Sequence, residues 1–287
     1  MVMLVAEIKF WKMHGLGNDY VIIDNRDGKL NGKNLGKIAE RICRRRFSVG
    51  ADGLLLLCDS SVADVKMRIF NADGSEAEMC GNGIRCLAKY CFENNITSKK
   101  EMRIETLAGV KTVWLNVEDE TVRSVTVDMG SPIFERQRIP MIGEGRCIDE
   151  ELEIEGEKFR ITCLSIGNPH CVIFVDHVED FPIEKFGPKI ENHPIFPKRT
   201  NVEFVQVTRN DEMKIRVWER GVGETLACGT GACAAVVAAN SLGKIGNECT
   251  VHLLGGDLKI QYKNDKILMT GAAEKSFEGI IDIQLEN

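Results

Sequence analysis

The sequence predicts an α+β protein built as two similar β-rich domains related by a pseudo-twofold axis, each sheet curled around a central helix. Three observations lead there. Blocks of the first half recur in the second, most apolar runs are short and strand-like, and each half holds one apolar helical run opened by a cysteine and Gly-x-Gly.

The repeat is read first. RIFNADGSEAEMCGNGIRC (Arg68 to Cys86) aligns without a gap on RVWERGVGETLACGTGACA (Arg216 to Ala234), which sets Phe70 against Trp218, Asn71 against Glu219, Glu76 against Glu224 and Cys80 against Cys228. Upstream, GLGNDYVIID resembles IGNPHCVIFVD, with Asn18 opposite Asn168, and Gly53 falls opposite Asn201. Two blocks in one order point to an internal duplication. The boundary falls near DMGSP, where a strand meets Gly and Pro, giving domains 1–130 and 131–275.

Taken in order, VIIDN reads as a strand. Leu35, Ile38, Ala39, Ile42 and Cys43 follow at helical spacing, and the arginines of RICRRRF then form that helix's wet face. DGLLLLC, KMRIFN, KTVWLNV and SVTVDM are the further strands of the first half, and CVIFVD, NVEFVQV, MKIRVW, TVHLL and LKIQY those of the second. LKIQYKNDKILMTG reads as a hairpin turning at Asn264 and Asp265. Each CGxG unit opens a helix. Ile84, Leu87, Ala88 and Cys91 recur at helical spacing, whereas Ala232 to Ala239 is apolar all round and so buried on every side.

Composition bounds the function. The 287 residues suffice for two domains with real cores, and 44% hydrophobic with 28% charged residues is a globular balance. A formal charge of −6 argues against nucleic acid or an anionic membrane as partner. MVMLVAEIKFWK has no basic leader and is too short for a signal peptide, and no apolar run of about 18 residues is present to span a membrane. Eleven cysteines without an export signal suggest free thiols in a reducing, cytoplasmic compartment. The cysteine and histidine spacings give no metal site.

The chemistry lies at the two cysteines. A thiolate at a helix N-terminus is stabilised by unpaired backbone N–H groups and the positive end of the macrodipole, which poises it nearer neutrality. Gly81, Gly83, Gly229 and Gly231 let a carboxylate approach those donors closely. Two such ends facing each other give an acid and a base on opposite sides of one carbon. That is the requirement for inverting a centre beside a carboxylate with no metal or organic cofactor. Cys43, Cys58, Cys86, Cys91, Cys163, Cys171, Cys233 and Cys249 are expected to be small buried hydrophobes instead.

Two rivals stand beside this reading. GTGACA with Glu248 about 20 residues on satisfies a dinucleotide fingerprint, as in an NAD-binding oxidoreductase, but ERGVGETLAC separates it from the preceding strand. Cys80 and Cys228 could alternatively form a redox-sensing disulfide.

HGLGNDYVIID, NADGSEAEMCGNGIRC, GNPHCVIFVD, NVEFV and ERGVGETLACGTGACA together resemble the diaminopimelate epimerase family, in order along nearly the whole chain. The resemblance implies two β-rich domains around central helices, the first completed by a strand at 276–287. It implies cofactor-free conversion of LL-2,6-diaminopimelate to the meso form, for lysine and cell-wall precursor synthesis, by a homodimer. It makes Cys80 and Cys228 the acid and base, and the N–H groups of Gly81, Asn82, Gly229 and Thr230 the carboxylate site. Asn18, Asn71, Asn168, Asn201, Glu219 and Arg220 would read the distal amino-acid end, with His170 and Glu219 tuning the thiols. Some members carry Gln where this chain has Gly53, so no side-chain contact is carried onto that position. A proline-racemase-like enzyme is the alternative, but its first cysteine block reads CGHG where this chain reads CGNG.

Overall fold

The computed structural model describes residues 4–285, which divide into two compact units: residues up to Val127 with those from Gly271 onward, and Asp128–Thr270. The divisions fall a few residues ahead of the expected 130/131 and 275/276.

The first unit runs β1 (Leu4–Gly15), β2 (Asn18–Asp24), α1 (Leu35–Cys43), β3 (Gly53–Cys58), β4 (Val65–Asn71), β5 (Glu76–Ala77), α2 (Gly81–Glu93), β6 (Glu101–Thr106), β7 (Gly109–Glu118) and β8 (Thr121–Gly130). β2 and β3 are parallel and need a crossover, which α1 supplies. Asn34 caps that helix by accepting from the Lys37 N–H. Leu54 to Leu57 are fully buried, each contributing about 2 kcal/mol. Leu54 and Leu56 pack with Ile38, Ala39 and Ile42 of α1, while Leu55 turns to the opposite face, 3.2 Å from where a Cβ on Gly83 of α2 would stand. A sheet covered on both faces explains an unbroken apolar run where a one-sided strand would alternate.

The second unit repeats the plan with β9 (Cys147–Ile154), β10 (Glu157–Ser165), β11 (Pro169–Phe174), α3 (Ile183–Glu191), β12 (Asn201–Arg209), β13 (Glu212–Glu219), β14 (Gly223–Thr225), α4 (Gly229–Ser241), β15 (Glu248–Leu253), β16 (Gly256–Lys263) and β17 (Lys266–Gly271). β11 and β12 are parallel across α3, as β2 and β3 are across α1. β4 meets β6 and β13 meets β15 in parallel, each pair spanned by the central helix. β16 and β17 form the expected hairpin, Asn264 and Asp265 taking φ of 52° and 62° in its turn. The last strand, β18 (Glu274–Leu285), pairs antiparallel with β1.

The central helices differ in what they bury. In α4, Ala232 to Ala239 are all fully buried, as their composition requires. In α2 the burial extends beyond Ile84, Leu87, Ala88 and Cys91 to Arg85 and Lys89. Arg85 Nη1 donates to Gly81 O (3.1 Å), Nη2 to Asn82 Oδ1 (2.9 Å) and Nε to Ala272 O (3.2 Å), which offsets the cost of removing a guanidinium from water.

One expectation is corrected. The helix of RICRRRF ends at Cys43, so only Arg41 of its arginines lies on it, and Arg44 is already extended. Arg45 instead pairs with Asp19 (2.7 Å) and Asp52 (2.8 Å), tying the loop after α1 to β2. Burial alone would raise the Asp19 carboxyl, but the hydrogen bonds from Arg45 and Lys12 outweigh it and hold its pKa at about 2.

Candidate active site

Both CGxG helices begin where the glycines begin, with Cys80 and Cys228 as extended N-cap residues. A helix leaves its first-turn amides without intrahelical partners, and the Cys228 sulfur accepts one of them, whereas Cys80 makes no side-chain cap hydrogen bond. Here the likeness ends, because each unit furnishes a different polar surround.

In the first unit, Cys80 is half-buried and its Sγ lies 2.9 Å from the Tyr20 hydroxyl and 3.7 Å from Asn18 Oδ1. Asn18 is a hub. Its Oδ1 accepts from Tyr20 Oη (2.6 Å) and Asn82 Nδ2 (3.1 Å), while its own Nδ2 donates to Asp52 Oδ2 (2.9 Å). Arg85 donates to the Asn82 carbonyl and so turns its NH2 toward Asn18. Asn18, Cys80 and Asn82 are thus brought together. Asn71, at the exposed end of β4, uses its amide locally on Ser75 Oγ (2.9 Å). Gly53 supplies room: a Cβ there would stand 2.8 Å from Phe70 O and 3.2 Å from Tyr20 Cε1.

In the second unit, Cys228 is 6% exposed, and its Sγ accepts from the Gly231 N–H at 3.3 Å and lies 3.5 Å from Thr230 Oγ1. Asn168 Nδ2 donates to that Thr230 hydroxyl (3.2 Å), and Asn168 Oδ1 meets His170 Nε2 (2.9 Å). The far side of the imidazole, Nδ1, meets Glu203 Oε1 at 2.7 Å. His170 and Glu203 are both fully buried, and Glu203 Oε2 has no hydrogen-bond partner. Gly231 admits this carboxylate, since a Cβ there would stand 2.8 Å from Glu203 Oε1. A chain of contacts thus runs from Glu203 through His170, Asn168 and Thr230 to the sulfur. Glu219 takes a hydrogen bond from Thr225 Oγ1 (2.5 Å), and Asn201 Oδ1 accepts the Arg220 N–H (2.9 Å).

Helix-end stabilisation was expected to bring both thiols toward neutrality. For Cys228 the opposite holds. Burial pushes this thiol well above its ordinary value, and the charges of Glu219 and Glu203 push it further, against weaker help from Thr230 and the Gly231 N–H. Desolvation outweighs the dipole because the whole side chain lies inside the unit.

Of the cysteines expected to be plain hydrophobes, Cys58 is half-buried at the end of β3 and the rest are buried; all eleven in the chain are free thiols. The dinucleotide reading fails on topology. β13 folds back on β14 before Cys228, so no strand runs directly into the glycines. Among the described residues no group of three or more His, Cys, Asp or Glu could hold a metal ion, and no helix is long and apolar enough to cross a membrane.

Two residues escaped the sequence reading, although both lie in motifs it quotes. Glu203 was visible as a carboxylate in the apolar run NVEFV, where a buried acid demands a partner. Tyr20 was visible as the residue the repeat sets against His170.

Comparison with known proteins then adds the lineage. A family model described as diaminopimelate epimerase matches residues 10–135 and 162–276. A diaminopimelate epimerase of Pelotomaculum thermopropionicum is 55% identical over 272 residues, covering 94% of this chain and 97% of its own. One of Moorella thermoacetica is 51% identical over 273 residues, covering 94% and 98%. Among solved structures, a PhzF-family phenazine biosynthesis protein of Bacillus anthracis has the same fold, with a TM-score of 0.71 at 19% identity over 97% of this chain and 100% of that one.

Proposed function

The chain belongs to the diaminopimelate epimerase family, and on that premise we propose that it interconverts LL- and meso-2,6-diaminopimelate by a two-base exchange of one α-hydrogen. The observation that carries this reading is the doubled sulfur: each unit sets one cysteine on the N-cap of its central helix, with the same strands around it.

In the forward direction the Cys228 thiolate removes the α-proton. The C–H electron pair moves into the carboxylate, and the Cys80 thiol delivers its proton to the opposite face of the carbon. One sulfur ends protonated and the other ionised, so the reverse reaction starts from the complementary state. The N–H groups of Gly81, Asn82, Gly229 and Thr230 receive the charge that builds on the carboxylate oxygens. Asn18, Asn71, Asn168, Asn201, Glu219 and Arg220 hold the distal amino and carboxylate groups, with His170 fixing the Asn168 amide. An ammonium drawn to Glu219 cancels a charge that now raises the Cys228 thiol, so substrate itself lowers the barrier to forming the base. Two thiols complete the proton inventory, so the reaction runs without metal or organic cofactor. The protein acts as a homodimer in the reducing cytoplasm, where its free thiols persist, and contributes to lysine and peptidoglycan precursor synthesis.

The test is turnover of LL-diaminopimelate and of L-proline, followed by chiral chromatography in chelator-treated buffer. Appearance of the meso isomer with proline unchanged is expected. Racemised proline with diaminopimelate untouched would reassign the substrate, and loss of activity to the chelator would contradict the cofactor-free step.

A further inference from the structure

The reaction assigned to Cys80 leaves one buried group at that sulfur without a role. The Tyr20 hydroxyl reaches Cys80 Sγ at 2.9 Å and Asn18 Oδ1 at 2.6 Å, and Tyr20 is only 5% exposed. Its place is not incidental. In β2, Tyr20 registers against Gly53 of the parallel strand β3; in β11, His170 registers against Asn201 of the parallel strand β12. The duplication therefore puts a phenol where its twin carries an imidazole. Gly53, the counterpart of Asn201, leaves the space that the phenol ring fills.

A phenol has one hydrogen, and here it has two acceptors. While Cys80 is a thiol, the hydroxyl hydrogen belongs to Asn18 Oδ1. Once the sulfur is ionised it becomes the stronger acceptor, and the hydrogen turns to it. We propose that Tyr20 is a catalytic residue that steadies the Cys80 thiolate by donating this hydrogen bond, an inference that rests on Cys80 acting as acid and base. The phenol keeps its own proton throughout, and the proton exchanged with substrate carbon is that of sulfur alone. Burial, reinforced by Cys80 alongside, pushes the phenol well above its ordinary 10.0, so it serves as a donor and not as an acid. The other ionisable groups facing it are Cys86 on α2 and Asp52. Asp52 is held by Arg45 and by Asn18 Nδ2, and Cys86 is itself pushed up to about 12 by burial.

Tyr20→Phe removes the hydroxyl and little else. The readout is the rate of iodoacetamide alkylation at Cys80 against pH, followed on the Cys80 peptide by mass spectrometry, together with kcat and KM for diaminopimelate. The midpoint of thiolate formation should rise by about one pH unit, with kcat falling about tenfold and KM nearly constant. A more acidic fluorinated tyrosine at position 20 should move the midpoint down, and serves if the phenylalanine variant folds poorly. A midpoint that stays in place in the folded variant overturns the inference, whatever kcat does. Full turnover in Cys80→Ala would instead overturn the role of Cys80 itself, so the two failures are told apart.

Discussion

The two units share one order of strands and helices, yet they fill it with opposite polarity. Where β3 turns Leu55 toward Gly83, β12 turns Glu203 toward Gly231. Where α2 buries Arg85, the repeat places Cys233 in the wholly apolar α4. Around Cys80 the polar partners are a phenol and amides, whereas around Cys228 two carboxylates raise the thiol. Duplication conserves the position of a sulfur at a helix start; the surround differs, and in the second unit it raises the thiol of Cys228.

The sharpest way to break the parallel is to remove one sulfur at a time. Cys80→Ala and Cys228→Ala should each reduce turnover by about 10²- to 10⁴-fold, measured as meso isomer formed. If only one of them mattered, the doubling would be a relic of the fold.

Glu203→Gln tests the carboxylate that its twin position lacks. It keeps the shape, weakens the grip on His170 Nδ1 and removes a charge that raises Cys228. Turnover should fall about tenfold while the alkylation midpoint of Cys228 moves down; a midpoint that rises would contradict the electrostatic assignment.

Stability should separate the two helices as well. Arg85→Met removes the three hydrogen bonds to Gly81 O, Asn82 Oδ1 and Ala272 O, at about 3 kcal/mol, or a melting temperature lower by roughly 6–12 °C. Cys233→Ala, at the matching turn of α4, leaves a small cavity at about 1 kcal/mol. Equal melting shifts would mean that the buried guanidinium is not held as described.

The smallest effect is alkaline. Burial pushes Cys43, Cys86, Cys91 and Cys249 from 9.0 up to about 12, so the fold holds these protons more tightly than the unfolded chain does. Their contribution is full below pH 9.0 and is lost as pH rises toward about 12. Denaturant midpoints followed upward from pH 9.0 should therefore decline, and a flat profile would deny the thiols this part.

Legibility in the sequence followed the source of each constraint. The runs GLLLLC and NVEFV, the hairpin at Asn264 and the two helices after CGxG are set by local pattern, and they stand where their residues predict. β1 and β18 interleave charges with apolar residues and take their order from pairing with each other. α3 was hidden by Gly187 and Pro188, which argue against a helix. Its glycine is explained only by Trp218, 2.7 Å from where a Cβ would stand. α3 stands where α1 stands in the first unit, between two parallel strands. At the site, Cys80, Cys228 and the asparagines stood in recognisable blocks, whereas Asp19 for Arg45, Ala272 for Arg85 and His170 for Glu203 come from elements distant in the chain.

The central claim is that two different sulfurs handle the outgoing and incoming protons. Initial-rate turnover in deuterium oxide, started separately from LL- and from meso-diaminopimelate, reads this directly by mass spectrometry. Each product should carry one solvent deuteron at the inverted carbon while the unreacted starting isomer keeps its protium, in both directions. Deuterium entering the starting isomer as fast as the product would mean one shared base, and would contradict the paired-thiol mechanism.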